Sequence, residues 1–496
     1  MKFEKSIKTT SIDELNDKLN TVGYDRENVT AGILHIGVGN FHRSHEEYYT
    51  NELLNIDPSQ SGWGICGAML LLQDEKLYRA LENQGGLYTV TLCGCNGINI
   101  CHEIGSLTEL IWAPENPQAI IDRIADPNIK IISMTITEGG YNIDRKSGKF
   151  NLENDAIRAD IENPSSPHTI FGFLAEGLRR RRDTGGGPVT LLSCDNLLHN
   201  GDTLRFALTS FLEAQDPSLI EWIDKNVTFP NSMVDRITPA TSPEDVKRLN
   251  KMNSTNDLAP VYCEEFSQWV IEDKFAAGRP EWEKVGVMFT DDVTAYENMK
   301  LNLLNASHTL MAYPAFLCGY RKVDDAIRDE RILKLVRDFM DSDTGPHIQT
   351  PGNMDLECYK QTILERFGNN SVSDQITRLC SDGLSKFPVY IIPILKKMID
   401  GNGDLTRIAY LIAAYRHYLK YRHDDNGITF EVNEPCMKNE DYMHITNEDP
   451  MDFLKLSIFN GLGLEQHDNF KSLYNQMVTS IYHNGAMTTL EQINNK

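Results

Sequence analysis

The stretch AGILHIGVG, residues 31–39, limits what this chain can fold into more than any other. A short apolar run closed by glycines and followed by HEEYYTNELL, with helical spacing, reads as strand, tight turn and helix. The pattern recurs. WGICGAM (63–69), YTVTLC (88–93), KIISMTIT (130–137) and PVTLLSC (188–194) are short, apolar and rich in β-formers. Amphipathic helical stretches lie between several of them. Strand alternating with helix predicts a parallel, doubly wound α/β sheet. After about residue 295 strand signals fade, and ERILKLVRDFM, GDLTRIAYLIAAYRHYLKYRH and NFKSLYNQMVTSIYHN carry helical periodicity. The expected organisation is an α/β domain over residues 1–290 and a mostly α-helical domain over 291–496.

The first turn, Ile36-Gly37-Val38-Gly39-Asn40-Phe41-His42-Arg43, is a candidate cofactor site. Glycines between strand and helix let backbone N–H groups approach a pyrophosphate at the helix N-terminus. A strict G-x-G-x-x-G would have glycine at position 42, where His42 stands, so an ordinary glycine turn suits the same residues. Asp74, just past the second strand run, is placed to bond the ribose hydroxyls of NAD. It is equally well placed to cap the helix EKLYRALENQ.

A second stretch, YENMKLNLLNASHTLMAYPAF, is apolar except where Lys300, Asn305 and His308 interrupt it. Their spacings of five, three and eight residues bring all three near one side of a helix, Asn305 and His308 closest. An amine, an amide and an imidazole on one apolar helix make a proton-transfer site: burial favours a neutral lysine, which then serves as a base. A surface lysine, a kinking asparagine and a core histidine would share that spacing. Glu297 precedes Lys300 by one turn, as a surface partner or a proton relay. Asn196 follows PVTLLSC, and Glu138 follows KIISMTIT, where open α/β sheets bind ligands; turn chemistry also explains the Asp195-Asn196 pair. Arg378 and Lys386 are two cations flanking a turn.

Composition excludes other classes. A net charge of −23 argues against nucleic acid or an anionic membrane surface, and no apolar run reaches the roughly 18 residues of a membrane span. The amino terminus, MKFEKSIKTTSIDELNDKL, lacks the apolar core of a secretory signal. Ten scattered cysteines then suggest reduced thiols in the cytoplasm. CGCNGINICH has no metal-ligand spacing and alternates like a hairpin, so no metal site is expected.

Taken together, GVGNFHRSH (37–45), TEGGY (137–141), SCDNLLHNGD (193–202), VDRITP (234–239), EEFSQWVIEDKFAAGRPEW (264–282), DDVTAYENMKLNLLNASH (291–308) and SDGLSKFP (381–388) resemble the polyol-specific long-chain dehydrogenases, the mannitol dehydrogenase family. The resemblance covers about residues 30 to 480, and SKFPVYIIP is most similar to members acting on D-mannitol. It implies a metal-independent enzyme with a Rossmann-type domain, a helical substrate domain, and NAD as cofactor. It makes Lys300 the general base, Asn196 and Asn305 ligands of the reacting oxygen, and His308 an orienting group. It links Glu297 and Glu138 to proton passage and assigns Asp235, Arg378 and Lys386 to substrate. Asn302 and Ala306, where arginine and glycine are common, and GNNSVSDQ (368–375), in place of a frequent S-N-P, leave the preferred substrate open. The implied reaction is D-mannitol and NAD to D-fructose and NADH. The alternatives are arabinitol, sorbitol, a hexuronate such as fructuronate, or a catalytically silent dinucleotide sensor. A monomer or small homo-oligomer is expected.

Overall fold

The computed structural model describes residues 19–144, 147–352 and 354–495. The amino-terminal stretch MKFEKSIKTTSIDELNDKL lies outside them, apart from Leu19. The chain divides into two compact units, Met1–Val293 and Thr294–Lys496.

In the first unit six strands form one sheet: β1 (Ala31–Ile36), β2 (Gly64–Met69), β3 (Leu107–Trp112), β4 (Ile131–Met134), β5 (Val189–Ser193) and β6 (Val227–Thr228). Their order is β6-β5-β4-β1-β2-β3 and every pair is parallel. This is the Rossmann order, and the winding reverses at the crevice where β1 meets β4. Most strand residues are apolar because both faces are covered, with His35, Glu109 and Ser133 among the exceptions. Ile33, Ile65, Ile131 and Leu192 pack with Leu53 of α1 (Glu46–Ile56) and Leu81 of α2 (Glu75–Asn83). Their neighbours Leu34, Cys66, Ile132 and Leu191 turn the other way. They meet Ile124 of α3 (Pro117–Ala125), Leu174 of α4 (Ile170–Thr184) and Leu208 of α5 (Asn200–Gln215).

YTVTLC does not join this sheet. Tyr88–Cys93 pairs antiparallel with Asn99–Ile104, in a four-stranded sheet with Leu19–Asn20 and Val261–Glu264. The CGCNGIN segment is too short for the crossover that a parallel neighbour requires, so it closes a hairpin instead. A third sheet joins Ser232–Asp235, Gln268–Glu272 and Met288–Thr290.

The second unit is helical. α6 (Thr294–Lys300) runs through a π-helical turn, Leu301–Asn305, into α7 (Ala306–Leu317). Every residue of α7 is buried, which explains a helix apolar on all sides. Around it stand α8 (Ile376–Cys380), α9 (Gly383–Tyr390) and α10 (Thr406–Tyr421), with α11 (Asp468–Asn484) against α10. No helix among the described residues is long and apolar enough to cross a membrane.

Candidate functional site

The first unit gathers its candidates at the carboxyl ends of β1, β4 and β5. Gly37 has φ +105°, and a Cβ there would lie 2.2 Å from the Thr135 carbonyl oxygen, so no other residue fits. A Cβ on Gly39 would meet nothing nearer than 3.9 Å, which leaves the space over the turn open. The amides of Asn40, Phe41 and His42 open the helical turn Asn40–Ser44 and have no partner within it. A backbone shaped in this way fits a pyrophosphate.

The side chains of the same turn are committed elsewhere. Asn40 donates to Pro239 O at 3.1 Å and accepts from Arg43 at 2.6 Å. Arg43 is buried and donates to Ala259 O at 2.5 Å. Phe41 stacks on His45, while Ile36 and Val38 are in the core. This stretch therefore offers a ligand its backbone, not the side chains of His42 or Arg43.

His42 occupies the place where the strict motif has glycine for close helix–strand packing. Its ring stacks flat on His35 of β1, centroids 3.3 Å apart. Both Nδ1 atoms approach Glu46 Oε2, at 2.9 and 3.2 Å, and His42 Nε2 lies 2.8 Å from Glu47. Ser133 donates to the same Glu46 oxygen at 2.8 Å. Burial pushes His35 down to about 4. Burial lowers His42 as well, but the Glu47 and Glu46 carboxylates outweigh it and raise its pKa above the usual value. Among the described residues His35, His42 and Glu46 also set ligand-type atoms within 4.8 Å of one another. Sequence reasoning missed this knot, because His35 lies on a strand and His42 and Glu46 on helical segments beyond the glycine turn, so no single period describes all three.

Asn196 follows β5, and Glu138 sits in the turn Thr137–Gly140 after β4. Asp195 ties these two ends together. Its buried carboxylate accepts from Ile136 N at 3.0 Å, Thr137 N at 2.9 Å and Tyr141 OH at 2.8 Å. Thr137 is held at φ +63°, which sets the direction of Glu138. Burial pushes Asp195 up to about 6 against the pull of those bonds. Asp235, also buried, ends Ser232–Asp235 in the third sheet. Asp74 accepts from Leu71 N at 3.2 Å and so closes the short turn Leu72–Asp74, but it makes no side-chain cap bond to α2. Arg79, the nearest arginine to it in sequence, is held by Glu82 at 3.0 Å and Glu115 at 2.7 Å.

In the second unit the π-helical turn arranges the site. On a regular helix, turning about 100° per residue, Lys300 and Asn305 would stand about 140° apart. Hydrogen bonds that span five residues turn the chain less per residue. The turn Leu301–Asn305 thus swings Asn305 and His308 back toward the side of Lys300. Glu297, Lys300 and His308 are buried. The Asn305 amide oxygen is buried and has no hydrogen-bond partner among the described residues. His308 stacks on Phe367, centroids 4.0 Å apart. Arg378 pairs with buried Asp374 through two hydrogen bonds, one of them at 2.9 Å. His308 and Arg378 together hold the Asp374 carboxyl below its usual range, although burial opposes them. Lys386 donates to Arg378 O and Leu379 O, both at 3.0 Å. Phe367 and Asp374 went unnoticed in the sequence. The single signal for Asp374 is its place four residues before Arg378.

Both halves match models of one family. Residues 31–284 match the mannitol dehydrogenase Rossmann domain and 292–482 the mannitol dehydrogenase C-terminal domain. A polyol:NADP oxidoreductase of Gluconobacter oxydans is 42% identical over 88% of this chain and 90% of its own length. A mannitol 2-dehydrogenase of Aspergillus fumigatus is 37% identical over 93% of each chain. The solved ternary complex of Pseudomonas fluorescens mannitol 2-dehydrogenase with NAD and D-mannitol superposes with a TM-score of 0.91, at 39% identity over 98% of each chain.

Proposed function

We propose, because the chain belongs to the mannitol dehydrogenase family, that it oxidises a sugar alcohol to a ketose with NAD and runs the reverse reaction. D-mannitol and D-fructose are the assigned pair, and the cytoplasm the assigned compartment. The observation that carries this reading is the likeness over nearly the whole chain to the Pseudomonas enzyme, solved with NAD and D-mannitol. Residues 1–290 take the dinucleotide and residues 291–496 the polyol.

NAD, when bound, supplies the hydride acceptor. The residues of this chain do the rest. The glycine turn holds the pyrophosphate through its amides, and Asp74 accepts from the ribose. Lys300 takes the hydroxyl proton as the carbinol C–H bond breaks, and returns it to the ketose oxygen in the reverse direction. Asn196 and Asn305 hold the alkoxide as charge develops on its oxygen. His308, kept in place by Phe367, orients the polyol. Asp235, Arg378 and Lys386 bind its remaining hydroxyls, and Glu297 and Glu138 pass the proton onward.

The Gluconobacter relative, by its name, uses NADP. NAD is still the choice here. Asp74 would repel a 2′-phosphate, and Arg79 is already shared by two carboxylates. The deciding experiment measures oxidation of D-mannitol, D-sorbitol and D-arabinitol with NAD and with NADP. It also measures NADH oxidation with D-fructose, D-xylulose, fructuronate and tagaturonate. Mannitol and fructose turned over best with NAD is the expected result. Preference for a hexuronate, or NADH binding without any turnover, would defeat the reading.

A further inference from the structure

The motif SCDNLLHNGD (193–202) runs from the end of β5 into the first turn of α5, and its Asn200, Gly201 and Asp202 have no part in the reaction proposed above. All three meet residues 229–232. Gly201 is packed so closely that a Cβ there would lie 2.5 Å from Pro230 O. The Asp202 N–H donates to the Asn231 side chain at 3.0 Å, and the Asn231 amide donates back to the Asp202 carboxylate at 3.1 Å. Asn200 is wholly buried. Its side-chain oxygen accepts from Ser232 N at 2.9 Å. Its NH2 group donates to Ser232 O at 2.9 Å, Asp195 O at 3.1 Å and Ser193 O at 3.2 Å. Ser232 Oγ donates to the same Ser193 O at 2.6 Å.

We propose that Asn200 is a positioning residue for the polyol contacts of the first unit: its amide splices the end of β5 to the strand Ser232–Asp235, and so fixes Asn196 relative to Asp235. The inference rests on the reading of Asn196 and Asp235 as polyol contacts. Ser232–Asp235 is an edge strand, paired with Gln268–Glu272 in its own sheet. β5 belongs to another sheet, so strand pairing does not set one against the other. Asn200 does that instead. Neighbouring antiparallel residues can exchange both of their N–H···O bonds, and the Asn200 amide makes the same two-way exchange with the main chain of Ser232. The same NH2 group reaches Asp195 O, the carbonyl of the peptide bond that leads into Asn196. One planar group thus holds the peptide before Asn196 and the start of the four-residue strand that ends at Asp235. The residue type is dictated by this double duty. A carboxylate of the same shape has no hydrogen to give, and a hydroxyl has one. Gly201 and Asp202 serve the same end, since they seat the loop that delivers Ser232.

The test measures kcat and KM for D-mannitol, and NADH affinity by titration, in wild type and Asn200→Ala. The variant should show a several-fold higher KM and a several-fold lower kcat, with NADH affinity unchanged. Double variants separate positioning from general loosening. In an Asp235→Ala background the KM effect of Asn200→Ala should shrink, and in an Asn196→Ala background its kcat effect should shrink, because the group being positioned is already gone. Full, additive losses in both backgrounds overturn the proposal, and so do wild-type kcat and KM in Asn200→Ala. Ser232→Ala takes away one strut of the splice and leaves Asn200 in place. It should move KM the same way by a smaller factor. Should Asn200→Ala fail to fold, Ser232→Ala replaces it in the double variants, and wild-type constants there overturn the proposal. Hydrogen exchange at the Ser232 amide reads the splice without substrate, and should be faster in Asn200→Ala than in wild type. If wild type turns over no polyol but shows that difference, the splice stands and the polyol reading fails. Equal Ser232 protection in both proteins sinks the splice itself.

Discussion

The glycine turn of the first unit and the π-helical turn of the second both carry motif residues, yet they work in opposite ways. Around Gly37 the backbone faces the ligand space, and the side chains of Asn40, His42 and Arg43 turn inward to hold it in shape. Around Lys300 the side chains are the proposed chemical groups, and the backbone between them departs from regular helix. A residue in a motif is thus no guide to whether its own atoms touch the ligand. In the first unit volume decides, and in the second functional groups decide.

The largest break of this contrast is Lys300→Ala. Turnover should fall by about 10²–10⁴-fold, the usual worth of general acid–base assistance, with NADH affinity intact by titration. Near-normal activity would remove Lys300 from the chemistry. Asn196→Ala and Asn305→Ala should each lower kcat by about 10²–10³-fold, with a double variant less than additive because both serve one oxygen. A change in KM alone would show ordinary substrate binding.

The first unit should answer to size. Gly37→Ala forces a side chain into a left-handed position against Thr135 O, at a cost of about 1–3 kcal/mol read as a lower Tm. Gly39→Val meets open space and should leave Tm alone while weakening NAD binding. Equal effects on both quantities in both variants would erase the distinction. Asp74→Ala is the mildest of the set: it should raise the NADP to NAD ratio of kcat/KM. An unchanged ratio would reduce Asp74 to closing its own turn.

Acid should act on the buried titratable groups of both units. His35 and His45 are pushed down by burial to about 4 and about 3. Lowered histidines contribute stability that is present above their unfolded pKa near 6.5 and is lost as pH falls toward the folded value. The raised acid Glu434 contributes in the opposite sense: its share is complete below about 4.5 and is lost as pH rises through about 7. All five tryptophans lie before residue 283, so their fluorescence reports the first unit. On acidification it should change as pH falls from about 6.5 toward 4. A signal unchanged down to about pH 4 would show the histidines to be unimportant.

Much of this was legible in the chain. Strands buried on both faces are continuous apolar runs, so β1, β2, β4 and β5 stand out. So do Lys300, Asn305 and His308, as polar interruptions of an apolar helix. Strand order did not, since pairing joins residues far apart, and YTVTLC was separated from the parallel sheet only by the shortness of its hairpin. Asp195, Asp374 and Glu434 sit in polar loops, where a buried carboxylate looks like any turn residue. The π-helical turn has no local signature, because LNLLN suits a regular helix equally well.

That turn has a consequence for how this gene can vary. Relative to an unbroken helix, a π turn is one inserted residue. Deletion of any one residue within 301–304 would restore the regular winding and still leave His308 within about 20° of Lys300 around the axis, because the seven remaining steps of about 100° make nearly two full turns. The segment should therefore tolerate the loss of one residue, and a descendant one codon shorter would carry the amine and the imidazole on one side of a regular helix.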